Sequence, residues 1–222
     1  MDKNLEMSHE NNIKIYYFNF NGRVLITKGI LYFMKIPFAY ITFNDEEWSK
    51  EKISGKFEFQ QLPAVEINNK IYVQSTAIEI YLARKYNLMG DNSEDEYKIV
   101  SFICSKNDLI DHMRPLVRPD LYISDSESII LINNILPMYF SQYEKTYKDS
   151  KGKYFISDKV TLADIVITIL IYYIFLLDEK RSLLLKPIVD KYSPNLLDFV
   201  VKFYKKEMLH FFDLHYNFNF EF

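Results

Sequence analysis

The chain has 222 residues, 49% hydrophobic and 17% aromatic, with 27 basic against 30 acidic side chains for a formal charge of −3. That apolar content excludes disorder over most of the length, and the charge gives no electrostatic footing for a nucleic-acid partner. Cys104 is the single cysteine and can form no internal disulfide, and the four histidines show no metal-ligand spacing. The opening MDKNLEMSHENN is polar and does not resemble a signal peptide. The longest apolar run, Ile165 to Leu177, is broken only by Thr168. It falls short of the roughly 20 residues a bilayer span needs, and reads as a helix buried on all sides. The expectation is a cytoplasmic protein of a reducing compartment, with no membrane span and no nucleic-acid partner.

After a polar extension (residues 1–12), KIYYF (Lys14–Phe18) has the β-branched and aromatic composition of a strand. NFNG (Asn19–Gly22) reads as a turn. From Arg23 to about Met34 the apolar groups fall at helical spacing, and FAYITF (Phe38–Phe43) reads as a second strand. A polar, lysine-rich stretch, NDEEWSKEKISGKFEFQ, is expected to be loop. The segment QLPAVEINNKIYVQSTAIEIYLARKY (Gln61–Tyr86) then reads as strand, Asn-Asn turn, strand and helix. NLMGDNSEDEY is a charged linker with Gly90 as a helix stop. Beyond it apolar residues recur at three and four. VTLADI (Val160–Ile165) carries a capping box in Thr161 and Asp164, with Val160 and Ile165 as a hydrophobic staple. The tail HFFDLHYNFNFEF is markedly aromatic. The order β-α-β, loop, β-β-α, then helices, implies an α+β N-terminal domain over residues 13–90 and an all-helical domain over residues 91–222.

The polar punctuation of the Gln61–Tyr86 segment is what a plain hairpin and helix do not require. Pro63 cannot donate to a sheet ladder and belongs at a strand's start or edge, leaving the Leu62 backbone free for an extended, peptide-like ligand. Ser75 and Thr76 meet a helix start whose unpaired N–H groups and dipole suit a carboxylate. The plainer alternative is a capped helix, since Thr76 and Glu79 have capping-box spacing.

The stretch QLPAVEINNKIYVQSTAIEIYLARKYNLMG resembles the glutathione-binding segment of the cytosolic glutathione transferases, especially the sigma class. The resemblance extends to YYFNFNGR, to WSKEK and to VTLADI, and so touches both halves of the chain. It implies a thioredoxin-like first domain, glutathione as co-substrate with no cofactor or metal, and a homodimer. By that resemblance Pro63 is a cis-proline and the Leu62 backbone binds the cysteinyl part. Gln74 and Ser75 hold the γ-glutamyl end, while Trp48, Lys52 and Gln61 reach the glycyl end. Tyr17 occupies the catalytic position with Arg23 nearby, and Asn107 and Asp108 reach the partner subunit's glutathione across the dimer axis. The family's Ala-Glu after Gly-Arg is Val24-Leu25 here, and the loop between Lys52 and Pro63 is about two residues longer than in the sigma class. A glycine common before the C-terminal capping box gives way to ISDKV.

Taken alone, a strand tyrosine is usually core and an arginine usually solvated; the motif gives Tyr17 and Arg23 their weight. The function implied is conjugation of reduced glutathione to small hydrophobic electrophiles. The apolar substrate site is expected between the domains, with Phe18 or Phe20 on one side and Ile110 or Met113 on the other. Two alternatives stay open at this point: a non-enzymatic carrier of haem-type hydrophobic ligands, favoured by the aromatic tail, and a glutathione-dependent prostaglandin isomerase.

Overall fold

The computed structural model describes residues 12–117, 125–150, 153–172 and 179–215. The β-branched and aromatic segments of the first half pair into one four-stranded sheet. In it β1 (Ile13–Phe18) lies parallel to β2 (Ala39–Phe43) and antiparallel to β3 (Ala64–Ile67). Antiparallel β4 (Lys70–Val73) completes the order β2-β1-β3-β4. A parallel pair needs a crossover, supplied here by α1 (Leu25–Phe33). Asn68 and Asn69 take φ of 51° and 63° in the β3–β4 hairpin, as a tight Asn-Asn turn requires. Helix α3 (Ser75–Lys85) follows β4. The thioredoxin-like α+β domain and the helical one are both present.

Period-two alternation sends Tyr16 and Tyr17 to opposite faces of the sheet. Ile13, Ile15 and Tyr17 enter the main core, whereas Tyr16 closes a smaller core with Phe57 and Ala64. The Tyr16 hydroxyl donates to Glu66 Oε2 at 2.6 Å, and Lys14 Nζ donates to Oε1 at 2.7 Å. Burial, then the Glu66 contact, pushes the Tyr16 phenol up to about 12. Tyr16 is therefore committed to a structural role away from α1.

The helical half runs α4 (Ser93–Val117), α5 (Asp125–Ile130), one π-helical turn at Leu131–Ile135, α6 (Leu136–Asp149), α7 (Leu162–Ile169), α8 (Glu179–Tyr192), α9 (Pro194–Glu207) and α10 (Phe211–His215). Every residue of α7 is buried, as expected for the first part of the apolar run; residues 173–177 of that run lie outside the described residues. Helix α7 packs on α1 at Gly29, where a Cβ would lie 2.3 Å from Ile169 Cδ1, so a side chain there would make Ile169 shift. The capping box at Thr161 and Asp164 is present. The Asp164 carboxylate accepts from the Thr161 N–H at 2.7 Å, the Thr161 hydroxyl at 2.9 Å and the Phe155 N–H at 2.7 Å.

Three expectations need correction. The lysine-rich stretch is not all loop: Asn44 and Glu47 form a reciprocal capping box, with bonds of 2.9 and 2.8 Å, that starts α2 (Asp45–Glu51). Helix α3 ends at Lys85 and is closed by Asn87, not Gly90. Asn87 adopts φ 58° and Leu88 N–H reaches back to the Ala83 carbonyl at 2.7 Å, the pattern of a Schellman close. The charged linker is also shorter than read, because α4 already begins at Ser93. Of the aromatic tail, Phe211–His215 form α10, and residues 216–222 lie outside the described residues, as do residues 1–11. Among the described residues no helix is long and apolar enough to cross a membrane, and no cluster of His, Cys, Asp or Glu could hold a metal.

Candidate functional site

A cleft of about 370 Å³ opens where β1, α2, the loop before β3 and the start of α3 meet. It is lined by Phe18, Arg23, Trp48, Gln60, Gln61, Leu62, Pro63, Gln74 and Ser75. The sequence pointed to all of these except Gln60, a left-handed residue (φ 52°) with no separate motif signal beyond its place beside Gln61. The Leu62–Pro63 peptide is cis and stands immediately before β3. Gln74 has φ 70°, and its amide donates to Gln61 Oε1 at 2.9 Å, tying the loop before β3 to the start of α3.

The plain capped-helix alternative for α3 does not hold. Glu79 is 1% exposed and points toward Lys106, 3.7 Å away on α4, and does not turn back to the helix start. Burial raises its carboxyl pKa while Lys106 opposes the rise. The Thr76 hydroxyl accepts from Asn107 Nδ2 at 3.1 Å. Helix α3 has no side-chain cap at Gln74, so its first N–H groups and positive dipole end remain turned to the cleft.

Tyr17 is not itself among the lining residues, although its neighbours Phe18 and Arg23 are, and it is 6% exposed. Its ring meets those of Phe18 and Phe20 edge-on at 5.5 and 5.3 Å. The Arg23 backbone N–H donates to its hydroxyl at 3.2 Å. That bond occupies a lone pair of the oxygen and leaves the phenolic proton to donate elsewhere. Burial raises the Tyr17 pKa, with the Arg23 N–H and charge pulling the other way, so the group stays a protonated donor at neutral pH. Gly22 is required by proximity: a Cβ there would sit 2.6 Å from the Tyr17 oxygen. The Arg23 guanidinium reaches Asp111 of α4 at 3.9 Å. Phe18 and Phe20 stack at 5.6 Å, and Trp48 meets Phe18 edge-on at 6.0 Å, an aromatic wall beside the polar one.

Phe20 and the remaining candidates lie outside the cleft lining. Lys52 is exposed at the end of α2. Asn107 is engaged with Thr76 of its own chain, and Asp108 is exposed on α4. Ile110 is half-buried, while Met113 is closed into the main core at 2% exposure.

Comparison with known proteins gives a consistent result. Residues 13–84 match the model for the glutathione S-transferase N-terminal domain, and residues 117–212 match that for the glutathione S-transferase C-terminal domain. The chain is 31% identical over 196 residues to the glutathione S-transferase class-mu 28 kDa isozyme of Schistosoma haematobium, covering 83% of this chain and 89% of that one. It is 32% identical over 169 residues to human glutathione S-transferase A1, covering 75% of each. Among solved structures, a monomeric glutathione S-transferase of Necator americanus superposes with a TM-score of 0.75 at 24% identity, covering 95% of this chain and 100% of the other.

Proposed function

Because the chain belongs to the glutathione S-transferase family, we propose that its cleft binds reduced glutathione between Gln61 and Ser75, with Tyr17 stabilising the thiolate. The protein is a glutathione transferase. It joins the thiol of glutathione to small hydrophobic electrophiles, and glutathione serves as co-substrate.

The single observation that carries the residue assignment is the 3.2 Å bond from the N–H of Arg23, a residue lining the cleft, to the Tyr17 hydroxyl. An unperturbed thiol near pKa 8.5 is only about 3% ionised at pH 7. Lowering that value by about two units requires roughly 2.7 kcal/mol of preference for the thiolate. A phenolic O–H in a partly water-excluded site supplies much of this, and the Arg23 charge adds to it. Gln74, Ser75 and the uncapped start of α3 suit the γ-glutamyl end, whose carboxylate meets unpaired N–H groups there. The backbone of Leu62 suits the cysteinyl part. Trp48 and Gln61 lie on the side assigned to the glycyl end, with Lys52 one exposed side chain further out. We assign Phe18, Phe20 and Ile110 to the electrophile side, with Met113 in the core on the same helix as Ile110.

We place the domain boundary near Gly90, so that residues 13–90 bind glutathione and residues 91–222 complete the electrophile site. The YYFNFNGR turn and the Gln-Ser pair favour a sigma-like subtype. A homodimer is favoured by exposed Phe59 (56%) and Ile53 (76%) on the loop before β3, apolar surfaces that a second subunit would cover. Asp108, exposed on α4, is then free to reach the partner's glutathione, whereas Asn107 serves its own chain through Thr76. The exposed free thiol of Cys104 suits a cytoplasmic, reducing setting. The test is retention on immobilised glutathione together with consumption of a chloroaromatic electrophile. Retention without turnover would point to a carrier and contradict the role given to Tyr17.

A further inference from the structure

Beneath the turn that carries Phe18, Phe20 and Gly22 lies a lysine shut away from water. Lys28 of α1 is 1% exposed and heads the largest fully buried side chains among the described residues. Its ammonium stands 3.5 Å over the Tyr40 ring centroid and donates to Asn21 Oδ1 at 3.3 Å. A cation held this way is favourable to the ring face but loses its hydration. Burial accordingly lowers its pKa to about 8. A leucine or methionine would fill the same space without that desolvation, so packing alone does not account for a lysine here.

Both of these partners lead back to the active-site turn. The Tyr40 hydroxyl donates to the Phe18 carbonyl at 2.7 Å and reaches the Phe20 carbonyl at 3.4 Å. Asn21 is fully buried, and its amide donates to the backbone carbonyl of His215 at the end of α10. One ammonium thus orients the two side chains that hold the backbone around the stacked Phe18–Phe20 pair. The same backbone continues through Gly22 to the Arg23 N–H that meets Tyr17.

We propose that Lys28 is a positioning residue for the transferase reaction: through Tyr40 and Asn21 it holds the Phe18–Arg23 turn in the conformation that sets the electrophile wall and aims the Tyr17 hydroxyl. This rests on the assignment of Tyr17 and Phe18 made above. The glutathione wall, built on Gln61, Gln74 and Ser75, makes none of these contacts.

The test compares Lys28→Met, which keeps length and removes charge, with Lys28→Arg and Tyr40→Phe. For Lys28→Met, the KM for a chloroaromatic electrophile should rise about tenfold and kcat fall several-fold, with glutathione Kd within about twofold. The bound thiol, followed by thiolate absorbance, should titrate at higher pH than in the native enzyme. Lys28→Arg should recover part of both losses. Tyr40→Phe keeps the ring and deletes the bonds to Phe18 and Phe20, so it should move both readouts the same way by a smaller factor. It decides the matter alone if Lys28→Met does not fold. Unchanged electrophile KM and thiol titration in folded variants would overturn the proposal. So would a parallel loss of glutathione affinity, which would mean general loosening. A native enzyme that fails to bind glutathione, or a fully active Tyr17→Phe, would instead overturn the underlying site reading.

Discussion

The two walls of the cleft are built by different means. The polar wall comes from one short piece of chain, in which the Gln61–Gln74 bond spans 13 residues across a two-asparagine hairpin. The aromatic wall depends on distant segments: Tyr40 holds the Phe18 carbonyl from 22 residues away, and His215 takes the Asn21 amide from 194 away. A locally encoded wall should tolerate damage to the helical half. A wall held at long range should respond to changes far from any ligand.

The largest expected effect breaks the local wall directly. Gln74→Ala with Ser75→Ala should abolish retention on immobilised glutathione, because hydrogen bonds to a charged group contribute about 1.5–3 kcal/mol each. The melting temperature should stay near that of the native chain, since Gln74 is exposed and Ser75 half-buried. Unchanged glutathione affinity would remove the assignment. Next comes Gly22→Ala, which crowds the Tyr17 oxygen at 2.6 Å and Phe20 at 3.1 Å. Turnover should fall about tenfold while glutathione affinity moves by less than about threefold. Equal losses in both would mean that the walls are not separable.

The same difference separates what the sequence encodes locally from what only the tertiary fold decides. The polar wall is legible because each device is local: a proline before a strand, an Asn-Asn turn and a Gln-Ser pair at a helix start. The capping-box spacing of Thr76 and Glu79 is equally local, yet it misleads. Asn107 and Lys106 on α4 draw those two side chains away, a tertiary choice that spacing cannot encode. Helix α2 was legible in principle from Asn44 through Glu47, but its lysines and exposed surface hide any apolar stripe. Lys28 carried no signal, because a lysine on a helix reads as solvated until the sheet and α10 close over it.

Asp108→Ala should weaken glutathione binding several-fold without dissociating the proposed homodimer, as measured by titration and by sedimentation. A fully active monomer at assay concentration would contradict the shared site.

The smallest effect concerns α10. Burial, then the Lys28 charge, lowers the His215 imidazole pKa to about 4 from 6.5. The unfolded chain takes up that proton below about pH 6.5, and the native one only near 4. The stability this group contributes is therefore full above about 6.5 and lost as pH falls toward 4. His215→Phe preserves the ring contacts with Phe38 and Phe211 without a titrating group. It should reduce the drop in melting temperature between pH 7 and 4.5 by about 2–4 °C. An identical drop in both proteins would mean that His215 is not closed into this contact.

Under the proposed function, the phenolic proton of Tyr17 stabilises the thiolate. The direct measurement is thiolate absorbance of bound glutathione as a function of pH in the native enzyme, in Tyr17→Phe and in Tyr16→Phe. Tyr17→Phe should raise the bound thiol's pKa and cut turnover at pH 7 by ten- to a hundredfold, about 1.4–2.7 kcal/mol, with glutathione affinity nearly intact. Tyr16→Phe should leave the titration unchanged, because that hydroxyl is bonded to Glu66 on the other face of the sheet. A native titration curve in Tyr17→Phe, or a shifted one in Tyr16→Phe, would contradict the account.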